Sequence, residues 1–126
     1  MSKNNSAPSK LPDSGKRTEF DTGAIRDAAV GKGHPSSIPP EAIRRLAVHF
    51  ENGSIKYSKS NWMRGIPLSR FSDAMMRHLL AAIEGDESED HLAACLWNAS
   101  CWMWTETQIK KGRLPKELDD LEHRER

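Results

Sequence analysis

Cysteine, tyrosine and net charge are all scarce in this chain. Its 126 residues include two cysteines and one tyrosine, and carry a formal net charge of +1. Cys95 and Cys101 stand inside an apolar run, at a spacing that suits neither a zinc knuckle nor a redox pair. They read as reduced core thiols of a soluble, cytoplasmic protein. With 19 basic against 18 acidic residues, no field of one sign draws the chain to duplex nucleic acid or to a membrane surface. Long hydrophobic runs are missing too. The stretch from Leu92 to Trp104 is broken by Asn98 and Ser100 and is too short to span a bilayer. The opening MSKNNSAPSKLPDSGKR lacks the apolar segment of a signal peptide. No GxxxxGK[ST] phosphate loop, strand signal or internal repeat occurs.

What is present is helical patterning. Residues 1–18 are rich in Ser, Asn, Lys and Pro and read as a disordered arm, leaving 19–126 as one domain. Residues 19–40 have no periodicity and read as a glycine-rich cationic loop carrying Arg26, Lys32 and His34. Pro39 and Pro40 then open a helix with Ile43, Leu46, Ala47 and Phe50 as its apolar stripe, Glu51 standing at the stripe's edge. Residues 56–65 form a loop with two aromatics, Tyr57 and Trp62. A second helix follows Pro67, with Leu68, Phe71, Met75, Leu79 and Ala82 as its buried line. A third, about 88 to 111, is apolar nearly all round, and Pro115 opens a short charged fourth with Leu118 and Leu121 inward. The expected fold is all-α, three core helices plus a short C-terminal helix. So much apolar surface on the Trp97–Trp104 segment predicts a homo-oligomer, dimer or tetramer.

Between the second and third helices lies an acidic turn, Glu84, Asp86, Glu87, Glu89 and Asp90, with His78 before it and His91 after it. Gly85 marks the end of one helix, and Ser88 or Asp86 is the expected N-cap of the next. Glu87, Asp90, His91 and Asn98 share a face at helical spacing. Clustered carboxylates suit a hard divalent cation; they equally suit a solvated turn that complements a helix dipole. Both readings stand at this level.

Three segments, FDTGAIRD, PPEAIRRLAVHFENGSIKYSKSNWMRGIPLSRF and MRHLLAAIEGDESEDHLAACLWN, together resemble the phage dATP/dGTP diphosphohydrolase family. The resemblance covers residues 20–106 and rests on TGAxR, ExGxxKY, NW, RH and an acidic turn with DH and WN. Some members are similar to MazG-like all-α nucleotide pyrophosphohydrolases, including MazZ-type enzymes, which hold Mg²⁺ or Mn²⁺ with EExxE on one helix and ExxD on another. Glu87 to Asp90 is a literal ExxD, whereas only Glu51 answers to EExxE.

The resemblance implies hydrolysis of a purine deoxynucleoside triphosphate, dGTP or dATP, to the monophosphate and pyrophosphate, in the remodelling of a phage nucleotide pool. It implies Mg²⁺ or Mn²⁺ on Glu51, Glu87 and Asp90, with Glu51, Glu84 and Asp90 as the catalytic carboxylates. Lys56, Arg77 and Arg26 are the expected phosphate partners, and Tyr57, Asn61 and Trp62 those of the base and sugar. His78, His91 and Asn98 complete the substrate-side set. The alternative is a relative that binds and sequesters a nucleotide without hydrolysing it, to which the incomplete EExxE half points.

Overall fold

The computed structural model describes residue 13 and residues 15–125. Most of the expected disordered arm lies outside the described residues. Contacts divide the chain into two units, Met1–Ser37 and Ile38–Arg126.

The described part of the first unit holds a hairpin that the sequence patterning does not predict. Strand β1, Arg17–Glu19, pairs antiparallel with β2, Ile25–Asp27, in the register Arg17↔Asp27, Thr18↔Arg26 and Glu19↔Ile25. The correction has a plain cause. Nearly every strand residue is exposed, so neither face carries the apolar alternation from which strands are read. Backbone bonds close the turn instead: Phe20 N–H donates to the Ala24 carbonyl at 2.8 Å and Gly23 N–H to the Phe20 carbonyl at 2.8 Å.

The second unit is the helical body. Helix α1 spans Pro40–Lys56, α2 Leu68–Ile83 and α3 His91–Lys110, and α3 packs on both of the others. Prolines at the first turn of α1 and just before α2 pre-set the backbone where an N–H would be unsatisfied anyway. Gly53 is carried inside α1 rather than ending it. Short 3₁₀ turns occupy Asn61–Arg64 and Lys116–Leu118, so the expected fourth helix is a single tight turn.

Leu68, Phe71 and Cys101 form the buried centre, with Phe50, Trp62, Ile66, Trp97 and Trp102 packed around it. Burying side chains such as Leu68 and Phe71 contributes roughly 1.5–3 kcal/mol each. The aromatics lock α1 to the other helices. Trp97 lies 6.0 Å from Phe50 and 6.3 Å from Phe71, and Trp62 meets Trp104 edge-on at 5.0 Å. The C-terminal segment closes the start of α2, where Ser69 N–H and hydroxyl both donate to the Asp120 carboxylate at 2.9 and 2.6 Å. Gly65, at φ +109°, passes so close to Leu118 and Leu114 that a Cβ would lie 3.0 Å from the Leu118 side chain.

Leu79 is 48 % exposed rather than buried. With Met76, Leu80 and Ile83 it forms an outward apolar stripe on α2, at i, i+3, i+4 and i+7. Leu92, Leu96 and Met103 are similarly exposed on α3. Among the described residues, no helix is long and apolar enough to cross a membrane.

Candidate functional site

Helix α2 ends in a glycine cap that shapes everything after it. Gly85 adopts φ +83°, its N–H donates to the Ala82 carbonyl at 3.1 Å, and Asp86 N–H reaches back to Ala81 at 3.0 Å. This reversal carries the acidic turn across to α3. The N-cap there is Asp90, rather than Ser88 or Asp86, accepting from Ala93 N–H at 3.1 Å. Helix α3 therefore begins at His91, and Glu87 stands outside it.

The second unit contains a cavity of about 650 Å³, within the range of small-molecule sites. Helix α1 contributes His49, Asn52, Gly53 and Lys56, a polar stripe at i, i+3, i+4 and i+7. Helix α2 contributes Arg70, Ala74, Arg77 and His78, at i, i+4, i+7 and i+8, and α3 contributes Trp97 and Asn98. The intervening loop adds Tyr57, Lys59, Asn61 and Trp62, and the acidic turn adds Glu89. Four permanent cations, Lys56, Lys59, Arg70 and Arg77, thus line the cavity together with aromatic rings and amides. Buried within that lining, the Trp97 indole N–H has no hydrogen-bond partner. The cations of the lining favour an anionic ligand rich in acceptors.

Of the sequence-derived positions, Lys56, Tyr57, Asn61, Trp62, Arg77, His78 and Asn98 all line this cavity. His91 lies next to His78, their Nδ1 atoms 2.9 Å apart. Arg26 stands in β2 of the first unit. The carboxylates Glu51, Glu84, Glu87 and Asp90 are outside the cavity lining. Glu51 falls about 200° round α1 from His49, on the opposite side of the helix.

Asp90 is fully engaged elsewhere. Arg45 grips both of its oxygens, Nε to Oδ2 at 2.7 Å and Nη2 to Oδ1 at 2.6 Å. The Arg45 hydrogen bond holds the Asp90 carboxyl down at about 2. An oxygen-rich ligand set for Mg²⁺, built from Glu51, Glu87 and Asp90, is therefore not gathered at the cavity among the described residues. A different group of donors is gathered there: His78, Glu89 and His91 have ligand atoms within 4.8 Å of one another. Asp86 stands behind His91, Oδ2 to Nε2 at 2.5 Å, and that bond holds its carboxyl below the usual range.

Sequence reasoning missed His49, Lys59, Arg70 and Arg45, and named Glu89 only as one member of the acidic turn. His49 had a legible signal, the polar stripe it starts on α1, overshadowed by the apolar stripe beside it. Burial, reinforced by nearby His78, lowers the His49 pKa below 6.5, which leaves it neutral and able to accept a proton at pH 7. Both cysteines are free. Burial pushes the Cys101 thiol up to about 12, so it takes no part in thiolate chemistry.

Residues 22–114, spanning all three helices and the cavity lining, match the family described as dATP/dGTP diphosphohydrolase, N-terminal. No curated protein and no solved structure matches the chain.

Proposed function

The chain belongs to the dATP/dGTP diphosphohydrolase N-terminal family, and from that footing we propose that it hydrolyses dATP or dGTP to the monophosphate and pyrophosphate. The observation that carries this reading is the cavity lining, which combines Lys56, Lys59, Arg70 and Arg77 with the rings of Tyr57 and Trp62. A triphosphate needs several cations along one line, and a purine needs an aromatic face. The Lys56 ammonium lies 5.2 Å from the Tyr57 ring centroid, close enough for cation and ring to act on one ligand.

The chemistry requires a water oxygen to bond to the α-phosphorus while the bond from that phosphorus to the bridging oxygen breaks. The two electrons of the broken bond leave with pyrophosphate. Arg77 and Arg70 neutralise the charge that spreads onto the leaving group, and Lys56 and Lys59 fix the phosphate chain. Neutral His49 takes the proton from the attacking water. Asn61 and Asn98 supply donors and acceptors for the base and sugar edges. A divalent cation, where bound, supplies further charge stabilisation and lowers the pKa of water. Mg²⁺ or Mn²⁺ on Glu51, Glu87 and Asp90 does not fit the arrangement described above, so no step runs through it.

A homodimer belongs to the same reading. The exposed stripe Met76, Leu79, Leu80 and Ile83 on α2 is the surface through which two copies would meet across a two-fold axis. The tryptophans expected at such an interface instead pack within the chain's own body.

The alternative, a protein that binds the nucleotide without hydrolysing it, draws support from Glu89 being the one carboxylate in the lining. Incubation with each deoxynucleoside triphosphate and Mg²⁺ or Mn²⁺, resolved by ion-exchange chromatography, separates the two. Purine monophosphate with equimolar pyrophosphate supports the hydrolase. Tight binding with intact triphosphate overturns it in favour of sequestration, and release of inorganic phosphate overturns the cleavage position.

A further inference from the structure

At the edge of the cavity, His78 near the end of α2 and His91 at the start of α3 bring their Nδ1 atoms to 2.9 Å. Glu89 Oε1 lies 3.8 Å from His78 Nδ1. His91 is only 8 % exposed. Its Nε2 lies 2.5 Å from Asp86 Oδ2. An ionised carboxylate only accepts, so the Nε2 nitrogen carries the proton, and in the neutral ring Nδ1 presents a lone pair. An imidazole that donates to a carboxylate through one nitrogen and offers the other is in the form that binds metal ions.

The spacing matches a right-angle pair of ligands and is about 0.5 Å short of a tetrahedral one. Two nitrogens about 2.0–2.1 Å from one cation stand about 2.9–3.0 Å apart at a right angle and about 3.4 Å apart at a tetrahedral angle. When no cation is bound, the same 2.9 Å is filled by a proton, His78 Nδ1–H donating to His91. Binding then needs His78 to hold its proton on Nε2 instead, with no net gain or loss of protons.

We infer that His78, Glu89 and His91 bind a first-row transition-metal dication, Zn²⁺ or Co²⁺ in preference to Mg²⁺, with Asp86 positioning His91. Two imidazoles and one carboxylate form a borderline donor set; Mg²⁺ demands oxygen and dehydrates reluctantly. Three protein ligands leave coordination positions for water or a phosphate oxygen. Two of the three ligands, His78 and Glu89, line the cavity itself. The site stands on its own geometry, and its use in catalysis rests on the hydrolase reading.

The test is a titration of the untagged full chain with Co²⁺, followed by visible absorption, and with Zn²⁺, followed by calorimetry. One ion per chain is expected, with no competition from equimolar Mg²⁺. Asp86→Asn should weaken binding about 10–100-fold, the range for loss of a partner behind a metal-bound histidine, and His78→Ala at least as much. Glu89→Gln, a change at a side chain 55 % exposed, should also weaken it while leaving the thermal melt unchanged. Co²⁺ affinity unaltered in His78→Ala and Glu89→Gln overturns the site, as does an absence of stoichiometric binding in the wild type. Because the titration contains no nucleotide, an ion bound by a protein that hydrolyses nothing supports the site and overturns only the proposed reaction.

Discussion

Arg45 and Asp90, 45 residues apart in sequence, form a two-point ion pair with Nε–Oδ2 at 2.7 Å and Nη2–Oδ1 at 2.6 Å. The same carboxylate caps α3 through Ala93 N–H. One side chain thus fixes where α3 begins and ties that end to α1, the helix that carries His49 and Lys56 into the cavity.

Asp90→Ala should therefore cost stability first. Loss of the cap contributes about 1 kcal/mol. The ion pair adds less than the cap, because both partners are well exposed and screened by solvent. Thermal unfolding of Asp90→Ala, Arg45→Ala and the double variant measures the coupling. A double variant equal to the sum of the singles removes the pair from the account.

The pH dependence has a definite sign. The Asp90 carboxyl is lowered from 3.8 to about 2 in the folded chain. Its contribution is fully present above the unfolded value of 3.8 and disappears as pH falls through the folded one. The acid limb of the stability curve should be flatter between those values in Asp90→Ala than in the wild type. Parallel curves would refute the assignment.

His49→Gln tests the proton acceptor. Turnover of dGTP should fall about 10²–10⁴-fold with little change in KM. In the wild type, kcat should drop on the acid side with an apparent pKa below 6.5, since burial lowers that of His49. A variant that keeps the wild-type pH profile excludes His49 as the base.

Arg77→Ala and Glu51→Gln form a contrasting pair. Arg77 lines the cavity, and losing one charge-assisted contact to phosphate should weaken dGTP binding by about 1.5–3 kcal/mol. Glu51 is exposed and outside the lining, so Glu51→Gln should leave dGTP affinity unchanged and shift stability by less than about 0.5 kcal/mol. Calorimetric titration of both variants with dGTP decides, and equal losses would mean that Glu51 reaches the ligand.

Light scattering at micromolar concentration should give at least twice the chain mass of 14.2 kDa. Leu80→Glu, in the exposed stripe of α2, should reduce it to the single-chain mass without loss of helicity. A wild-type monomer would leave the stripe without a partner.

The helices were legible because their causes are local. Pro40 at the first turn of α1, Gly85 after α2 and the spacing of Leu68 and Phe71 each act over a few residues, so a linear reading finds them. The same pattern puts Arg77 and His78 on the second helix, whereas Lys56, expected in the loop after the first, is the last residue of α1. The acidic turn is different. Residues 84–90 lie outside any regular helix, so periodicity says nothing about which carboxylate turns inward. The Gly85 reversal and Arg45, reaching across from α1, settle that. Asp90 is drawn to the guanidinium, Asp86 to His91, and Glu89 is left at the cavity. The hairpin at 17–27 escaped for a related reason, since backbone hydrogen bonds and not buried side chains hold it. Sequence alone determined which segments form the three helices. The meeting of His78 with His91, and of Arg45 with Asp90, was decided by tertiary packing, because each pair is joined across two elements whose separation no local pattern encodes.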